Sequence, residues 1–315
     1  MKIVFIGTPE FGAIILEGLI KGGYKPILVV TTTDKPVGRK QILTPSVVKV
    51  VAKKHNIQVE QSETIKNLKL KIKNLKPDLG IVAAYGEIIP KNILDIPKFG
   101  FLNVHPSLLP KYRGPSPIQF TILNDEKKSG VTIILMDEKM DHGKIISNIK
   151  YQIPNNKITY ENLLKELAEK GAKLLIETIP KWIKGEIKPK PQDEIKTTYT
   201  KILKKEDGKI DWRKSAEEIE RQIRAFNLWP GSYAFWQKAG KIFRLKIFKA
   251  DVLARKKNQS ENQPGKTFLT ADNKIAVQTG KDYLIIEELQ MEGKRKMTPK
   301  EFLIGHPDFI GVILG

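Results

Sequence analysis

Asn103 and His105 stand two residues apart in FLNVHPSLLPKYRGPSP, and a carboxylate, Asp141, follows in MDEKMDHGK. If Phe101 to Val104 is a strand, side chains two apart point to the same side, so the amide and the imidazole can address one substrate atom. An amide N–H beside an imidazolium suits an oxygen on which negative charge develops. Asp141 is placed to set the charge and tautomer of that histidine. The plainer alternative is a polar strand end whose groups only satisfy a turn.

Other chemistries find less support. The chain has no cysteine, which excludes disulfides, thiolate nucleophiles and Cys-ligated metal. The four histidines form no zinc spacing: His55 and His306 lack a partner motif, and His142, beside Asp141, reads as an exposed loop residue. G-x-S-x-G is absent, and Ser107 and Ser116 lie in Pro-rich loops rather than on a nucleophile elbow. Gly7-Thr8-Pro9-Glu10-Phe11-Gly12 has the outline of a dinucleotide turn, with Asp34 where a ribose-binding acid would stand. Pro9 occupies the position where that turn needs glycine, and it lacks an N–H.

The elements that must position these residues follow from apolar runs. Ile3 to Ile6, Ile27 to Thr31, Leu79 to Ala83 and Phe101 to Val104 read as strands, alternating with helical segments such as Phe11 to Lys21 and Thr44 to His55. That alternation predicts a doubly wound α/β domain on a largely parallel sheet. Val131 to Met136 and Lys144 to Ile153 read as later strands flanking the Asp141 loop, and Tyr160 to Lys184 as a long helix. The Pro- and Lys-rich GEIKPKPQD then reads as an extended linker. Ser215 and Glu218 predict a capping box opening a helix, and five short strand-like runs between Tyr233 and Leu289 predict a small β-barrel of the oligonucleotide-binding (OB-like) type. The expected division is a catalytic domain over residues 1–190, a linker over 191–205 and a second domain over 206–315.

The formal charge of +20, from 55 Lys and Arg against 35 Asp and Glu, favours a polyanionic partner or a Lys-rich solubilising surface. Lys35, Arg39 and Lys40 cluster in TDKPVGRKQ, and Arg221 and Arg224 lie three apart on the second domain's helix. These could meet phosphates, or the two arginines could pair with Glu217 and Glu220. MKIVFIGTPEFG reads as a strand and turn rather than a signal peptide, and no apolar run approaches the ~18 residues of a membrane span. A cytoplasmic monomer without membrane attachment is expected.

Together, Asn103-Val104-His105, Ser107-Leu108-Leu109-Pro110, Arg113-Gly114 and Asp141 resemble the formyltransferases that use 10-formyltetrahydrofolate. The likeness extends through Ile6 to Phe11, Asp34 to Arg39, Ala84-Tyr85-Gly86, Gly130-Val131-Thr132, Ile210-Asp211-Trp212 and IRAFNLWPG, essentially the whole chain. The DKPVGR loop and Phe226-Asn227 look like the branch that acts on tRNA. The resemblance implies formyl transfer from 10-formyltetrahydrofolate to the α-amine of methionine on initiator tRNA, without a metal. It implies catalytic roles for Asn103, His105 and Asp141. It places folate near Tyr85, Gly86, Glu87, Ile88 and Ile89, near Ser107, Leu108, Leu109 and Pro110, and near Met140. It places tRNA against Lys35, Arg39, Lys40, Lys204, Lys205, Arg221 and Arg224. Competing readings are an amino-sugar nucleotide as formyl acceptor, or RNA and folate binding without turnover. Two departures from the family spelling are Pro106 after the histidine and His142 with Lys144 after the aspartate.

Overall fold

The computed structural model describes residues 1–38, 40–154, 157–255 and 263–315, and its contacts divide these into two compact units. The first unit is built on strands β1 (Ile3–Gly7), β2 (Leu28–Thr31), β3 (Lys35–Val37), β4 (Ile42–Thr44), β5 (Gln58–Gln61), β6 (Leu79–Ala83), β7 (Phe101–His105), β8 (Lys128–Leu135) and β9 (Lys144–Gln152). Seven of them form one sheet in the order β5-β2-β1-β6-β7-β8-β9, while β3 and β4 pair as a separate hairpin. Strands β5 to β7 along this order run parallel, and β8 and β9 join antiparallel.

The helices preceding the second unit's own are α1 (Glu10–Lys21), α2 (Val47–Lys54), α3 (Lys69–Leu75), α4 (Lys91–Leu94), α5 (Pro117–Leu123) and α6 (Tyr160–Ile183). Strands β1, β2, β6 and β7 are buried along their whole length, which is why they read as unbroken apolar runs rather than alternating ones. On one face, Val4, Ile6, Leu28, Val30, Val82 and Phe101 pack with Ile72, Ile89 and Ile93. On the other, α6 comes so close that a Cβ on Gly171 would lie 3.0 Å from Val104, 3.1 Å from Ile15 and 3.3 Å from Val131. Strand β7 is thus clamped against a helix from behind.

The strand order reverses between β1 and β6, and ligands of open α/β sheets bind outside the carboxyl ends of strands near such a point. Here α1 sits tightly on the end of β6: a Cβ at Gly12 would come within 2.7 Å of the Ala83 carbonyl oxygen. Asp34, the only ribose-acid candidate, is engaged elsewhere. Its carboxylate accepts from Lys49 Nζ at 2.7 Å and from Gln61 Nε2 at 2.8 Å, and the Lys49 bond holds it below the ordinary carboxylate range.

In the second unit, strands β10 (Ser232–Lys238), β11 (Lys241–Leu253), β12 (Thr267–Leu269), β13 (Ile275–Gln278) and β14 (Tyr283–Met291) form an antiparallel sheet in the order β10-β11-β14-β13-β12. Residues 311–315 bridge its two edges. Gly315 exchanges backbone hydrogen bonds of 2.8 and 2.9 Å with Phe235 of β10, while Thr267 of β12 donates to the Val312 carbonyl at 2.8 Å. This closure gives the expected barrel-like unit. Helix α7 (Ala216–Ala225) opens with the predicted capping box, Ser215 Oγ accepting from Glu218 N–H and the Glu218 carboxylate accepting from Ser215 N–H. Its apolar side joins Trp236, Leu245 and Ile286, with Phe302 of α8 (Pro299–Gly305) and Phe309 edge-on to Trp236.

The first unit runs through Ile202 and the second begins at Leu203, with residues 119–126 and 157–161 grouping with the second. Residues 191–202 therefore belong to the first unit rather than to a linker. No helix among the described residues is long and apolar enough to cross a membrane.

Candidate active site

Strand β7 delivers Asn103 and His105 to the carboxyl end of the sheet, where both side chains are buried (8% and 5% exposed). Asp141 reaches them from the turn between β8 and β9. Its Oδ1 accepts from Asn103 Nδ2 at 3.2 Å and lies 3.5 Å from His105 Nδ1, while Oδ2 accepts from the Gly114 N–H at 2.8 Å. His105 Nε2 donates to the Tyr112 carbonyl at 3.0 Å. Both ring nitrogens thus face oxygen acceptors, an arrangement that a proton on each nitrogen satisfies. Asn103 spends one amide hydrogen on Asp141 and has a second to offer a substrate oxygen. The three residues singled out by type and spacing converge on one point.

The loop after His105 is held rigidly. Ser107 Oγ donates to the Lys111 carbonyl at 2.7 Å, Thr132 Oγ1 donates to the Ser107 carbonyl at 2.7 Å, and Leu109 N–H donates to Thr132 Oγ1 at 3.1 Å. The Ser107 hydroxyl is consumed inside the turn, so a ligand here meets backbone rather than that side chain. Leu108 packs where a Cβ on Gly130 would intrude, and the Leu109–Pro110 peptide is cis.

Residues expected to receive folate divide into two sets. Tyr85 and Ile89 are buried in the core, and Glu87 Oε2 accepts from the Ile65 N–H at 3.2 Å, so these three shape the turn. Ile88 (63%) and Met140 (51%) are exposed apolar side chains, and Gly86 takes φ +87°, an arrangement that leaves apolar surface and backbone groups for a flat ring. Burial together with the Glu87 charge raises the pKa of the Tyr85 hydroxyl. These features fit a folate.

Residues 1–179 match the family described as Formyl transferase, and residues 202–307 match Formyl transferase, C-terminal domain. The methionyl-tRNA formyltransferase of Chloroflexus aurantiacus is 42% identical over 314 residues, covering 98% of this chain and 99% of that one. That of Bacillus velezensis is 43% identical over 317 residues, covering 100% and 98%. The chain belongs to the methionyl-tRNA formyltransferase family. Among solved structures, the N-formyltransferase of Helicobacter canadensis, in complex with folinic acid and dTDP-3-aminofucose, has 23% identity and a TM-score of 0.64, covering 94% of this chain and 100% of that one. HypX of Aquifex aeolicus, in complex with tetrahydrofolic acid, has 17% identity and a TM-score of 0.62 over 96% of this chain and 47% of its own. At such identities the likeness concerns the fold.

In this formyltransferase the basic residues have different fates. Lys35 and Lys40 are exposed around the β3–β4 hairpin, which also exposes Ile42 and Leu43, and Arg39 lies outside the described residues. Lys204 and Lys205 are exposed as well. Arg221 and Arg224 differ from their expected phosphate-binding role. Arg221 Nε donates to the Leu123 carbonyl at 3.2 Å, whereas Arg224 forks onto buried Glu220 at 2.8 and 2.9 Å and donates to the Ile158 carbonyl at 2.8 Å. Arg224 is thus spent on a buried carboxylate and a backbone carbonyl, whereas Arg221 gives one N–H to a carbonyl of the same unit.

The spelling departure after the aspartate also finds its place. His142 Nδ1 pairs with Asp137 Oδ2 at 2.5 Å, and its Nε2 lies 3.6 Å from Glu194. Lys144 begins β9 with an exposed side chain. Sequence reasoning missed Arg113 as more than a family letter. It is 1% exposed, and its backbone exchanges hydrogen bonds with Thr198 (2.9 Å) and Thr200 (2.8 Å), while Ile145 and Lys190 pair at 2.7 and 2.9 Å. The supposed linker is a strap bonded to the loop that carries Arg113 and to the start of β9.

Proposed function

We propose that this formyltransferase moves the formyl group of 10-formyltetrahydrofolate onto the α-amine of methionine esterified to initiator tRNA, acting as a cytoplasmic monomer. What carries the reading is the convergence of Asn103, His105 and Asp141 in a chain that matches methionyl-tRNA formyltransferases over 98–100% of its length. The α-amine titrates near ~8, so much of it is already neutral at physiological pH and no strong enzymatic base is required. Its nitrogen attacks the formyl carbon, and the remaining difficulty is the tetrahedral oxyanion. The second Asn103 N–H donates to that oxygen, and the His105 cation, held between Tyr112 and Asp141, lowers its energy. Asp141 accepts a proton from the attacking nitrogen through water as the N–C bond forms. The proton passes to the departing folate nitrogen as its bond to the formyl carbon breaks.

For the tRNA, the basic segment with Lys35, Arg39 and Lys40 and the exposed Lys204 and Lys205 supply phosphate contacts. Arg39→Ala is expected to lower kcat/KM for tRNA and to reduce the slope of log kcat/KM against log salt by about one, leaving KM for the folate unchanged. Kinetics with tRNA that stay unaltered from low to high salt would remove the segment from the interface.

The reading as a whole is tested by offering the purified protein 10-formyltetrahydrofolate with either methionyl initiator tRNA or an amino-sugar nucleotide. Formylmethionyl-tRNA is the expected product. Formylation of the sugar amine alone would assign the chain to a different acceptor, and tight RNA binding without turnover on either would make it a binding protein.

A further inference from the structure

Asp141 adopts φ +50°, a left-handed backbone that non-glycine residues take infrequently, though aspartate more readily than most. The carboxylate's aim depends on that backbone, so whatever fixes the turn fixes the catalytic geometry. Among the described residues, one side chain from outside hydrogen-bonds the backbone of this turn. The Gln192 amide nitrogen donates to the Asp141 carbonyl at 2.7 Å and to the Gly143 carbonyl at 2.8 Å, stapling the turn on both sides of His142. The opposite end of the same amide is fixed too. Gln192 Oε1 accepts from Arg113 Nε at 3.0 Å and from Arg113 Nη2 at 2.9 Å.

Arg113 is itself overdetermined. Its guanidinium, buried at 1% exposure, also meets Glu194 at 2.7 and 3.0 Å and Tyr199 Oη at 3.3 Å. Two donors on Oε1 remove any choice about which way the Gln192 amide faces: its NH₂ must point at Asp141 and Gly143, because the flipped amide would set N–H groups against guanidinium N–H groups. The adjoining Gly114 contributes the N–H that holds Asp141 Oδ2. Asp141 is thus gripped twice, through its carboxylate by the Gly114 N–H and through its backbone by Gln192, which Arg113 orients.

We propose that Gln192, oriented by Arg113, is a positioning residue that sets the Asp141 carboxylate against Asn103 and His105. Its hydrogen bonds go to Arg113, Asp141 and Gly143. The proposal rests on the formyl-transfer reading above and adds that the strap at residues 190–200 is part of the catalytic apparatus.

Gln192→Glu gives the sharpest test. The side chain keeps its size and its acceptor for Arg113, while the two N–H donors are replaced by an oxygen facing two carbonyls. With methionyl initiator tRNA and 10-formyltetrahydrofolate, the wild-type chain must first turn over; its failure to do so would sink the formyl-transfer reading, not this proposal. Given turnover, Gln192→Glu is expected to lower kcat on the order of 10²-fold, the usual consequence of a catalytic group displaced by about 1 Å. KM for both substrates should stay at wild-type values, and the variant should remain folded at the assay temperature, with an unfolding midpoint lowered by the lost hydrogen bonds. Gln192→Met, which removes the donors without adding charge, should do the same. Wild-type kcat in both variants, equal losses through KM, or unfolding of both would each overturn the assignment.

Discussion

Replacing Asn103 with alanine is expected to lower kcat for formyl transfer about 10²- to 10³-fold, with KM for tRNA nearly unchanged. The magnitude follows from where the amide stands. Asn103 lies within β7, paired with β6 and β8 and clamped from behind by α6, so its donor is preorganised and does not move during the reaction. At 8% exposure, water has little room to replace it. Truncation to alanine keeps the strand, and Asp141 keeps the Gly114 N–H, so the loss falls on the transition state rather than on the architecture. Single-turnover rates with preformed enzyme–tRNA complex would isolate the effect. His105→Ala should act at the same step, because its imidazole shares the Asp141 oxygen with Asn103. A variant Asn103→Ala with an unchanged chemical step would mean that the formyl oxygen is held elsewhere.

Arg224→Ala is expected to act on a different property, lowering stability by about 3 kcal/mol without a primary effect on tRNA binding. The side chains of Arg224 and Glu220 are only 11% and 7% exposed, and removing one partner of such a pair leaves a buried charge uncompensated, at a cost of roughly 3 to 5 kcal/mol. The lower end applies because Lys157 Nζ, 3.6 Å from Glu220, offsets part of the loss. The Ile158 carbonyl also loses its donor. Urea denaturation should show the midpoint fall. The paired change Arg224→Met with Glu220→Leu should recover much of the loss, since it removes the charge together with its partner. Full stability in Arg224→Ala, combined with weakened tRNA binding that flattens with salt, would return Arg224 to the tRNA surface.

These two residues mark what was legible in the sequence. Asn103 declared itself because a buried parallel strand is an apolar run, and a polar residue two positions before a histidine breaks that run visibly. The same logic located β1, β2, β6 and β7 to within a residue or two. It missed β5, whose QVEQ is an edge strand with a partner on one side only and therefore carries polar side chains. It also missed the hairpin β3–β4, which three-residue strands cannot announce through periodicity. Arg224 left two readings open, phosphate or Glu220, for a general reason. A charge three residues from another charge looks the same whether its partner is a phosphate or a carboxylate one turn away, and only burial distinguishes them.

The strap was the hardest feature to read. Pro- and Lys-rich composition describes an extended backbone correctly, yet it says nothing about where that backbone makes its hydrogen bonds. Residues 190–200 find theirs on Pro110, Arg113 and Ile145, far away in sequence. Gln192, with two carbonyls and a guanidinium to satisfy, shows no local signal at all.

The most direct test of the site's assignment is a crystal structure of the protein with a stable formyl-bearing folate. The formyl oxygen should lie within about 3 Å of Asn103 Nδ2, with the pterin ring against the turn that carries Gly86 and Ile88. A folate bound away from the carboxyl ends of β6 and β7, or one whose formyl group turns away from Asn103 and His105, would contradict the account.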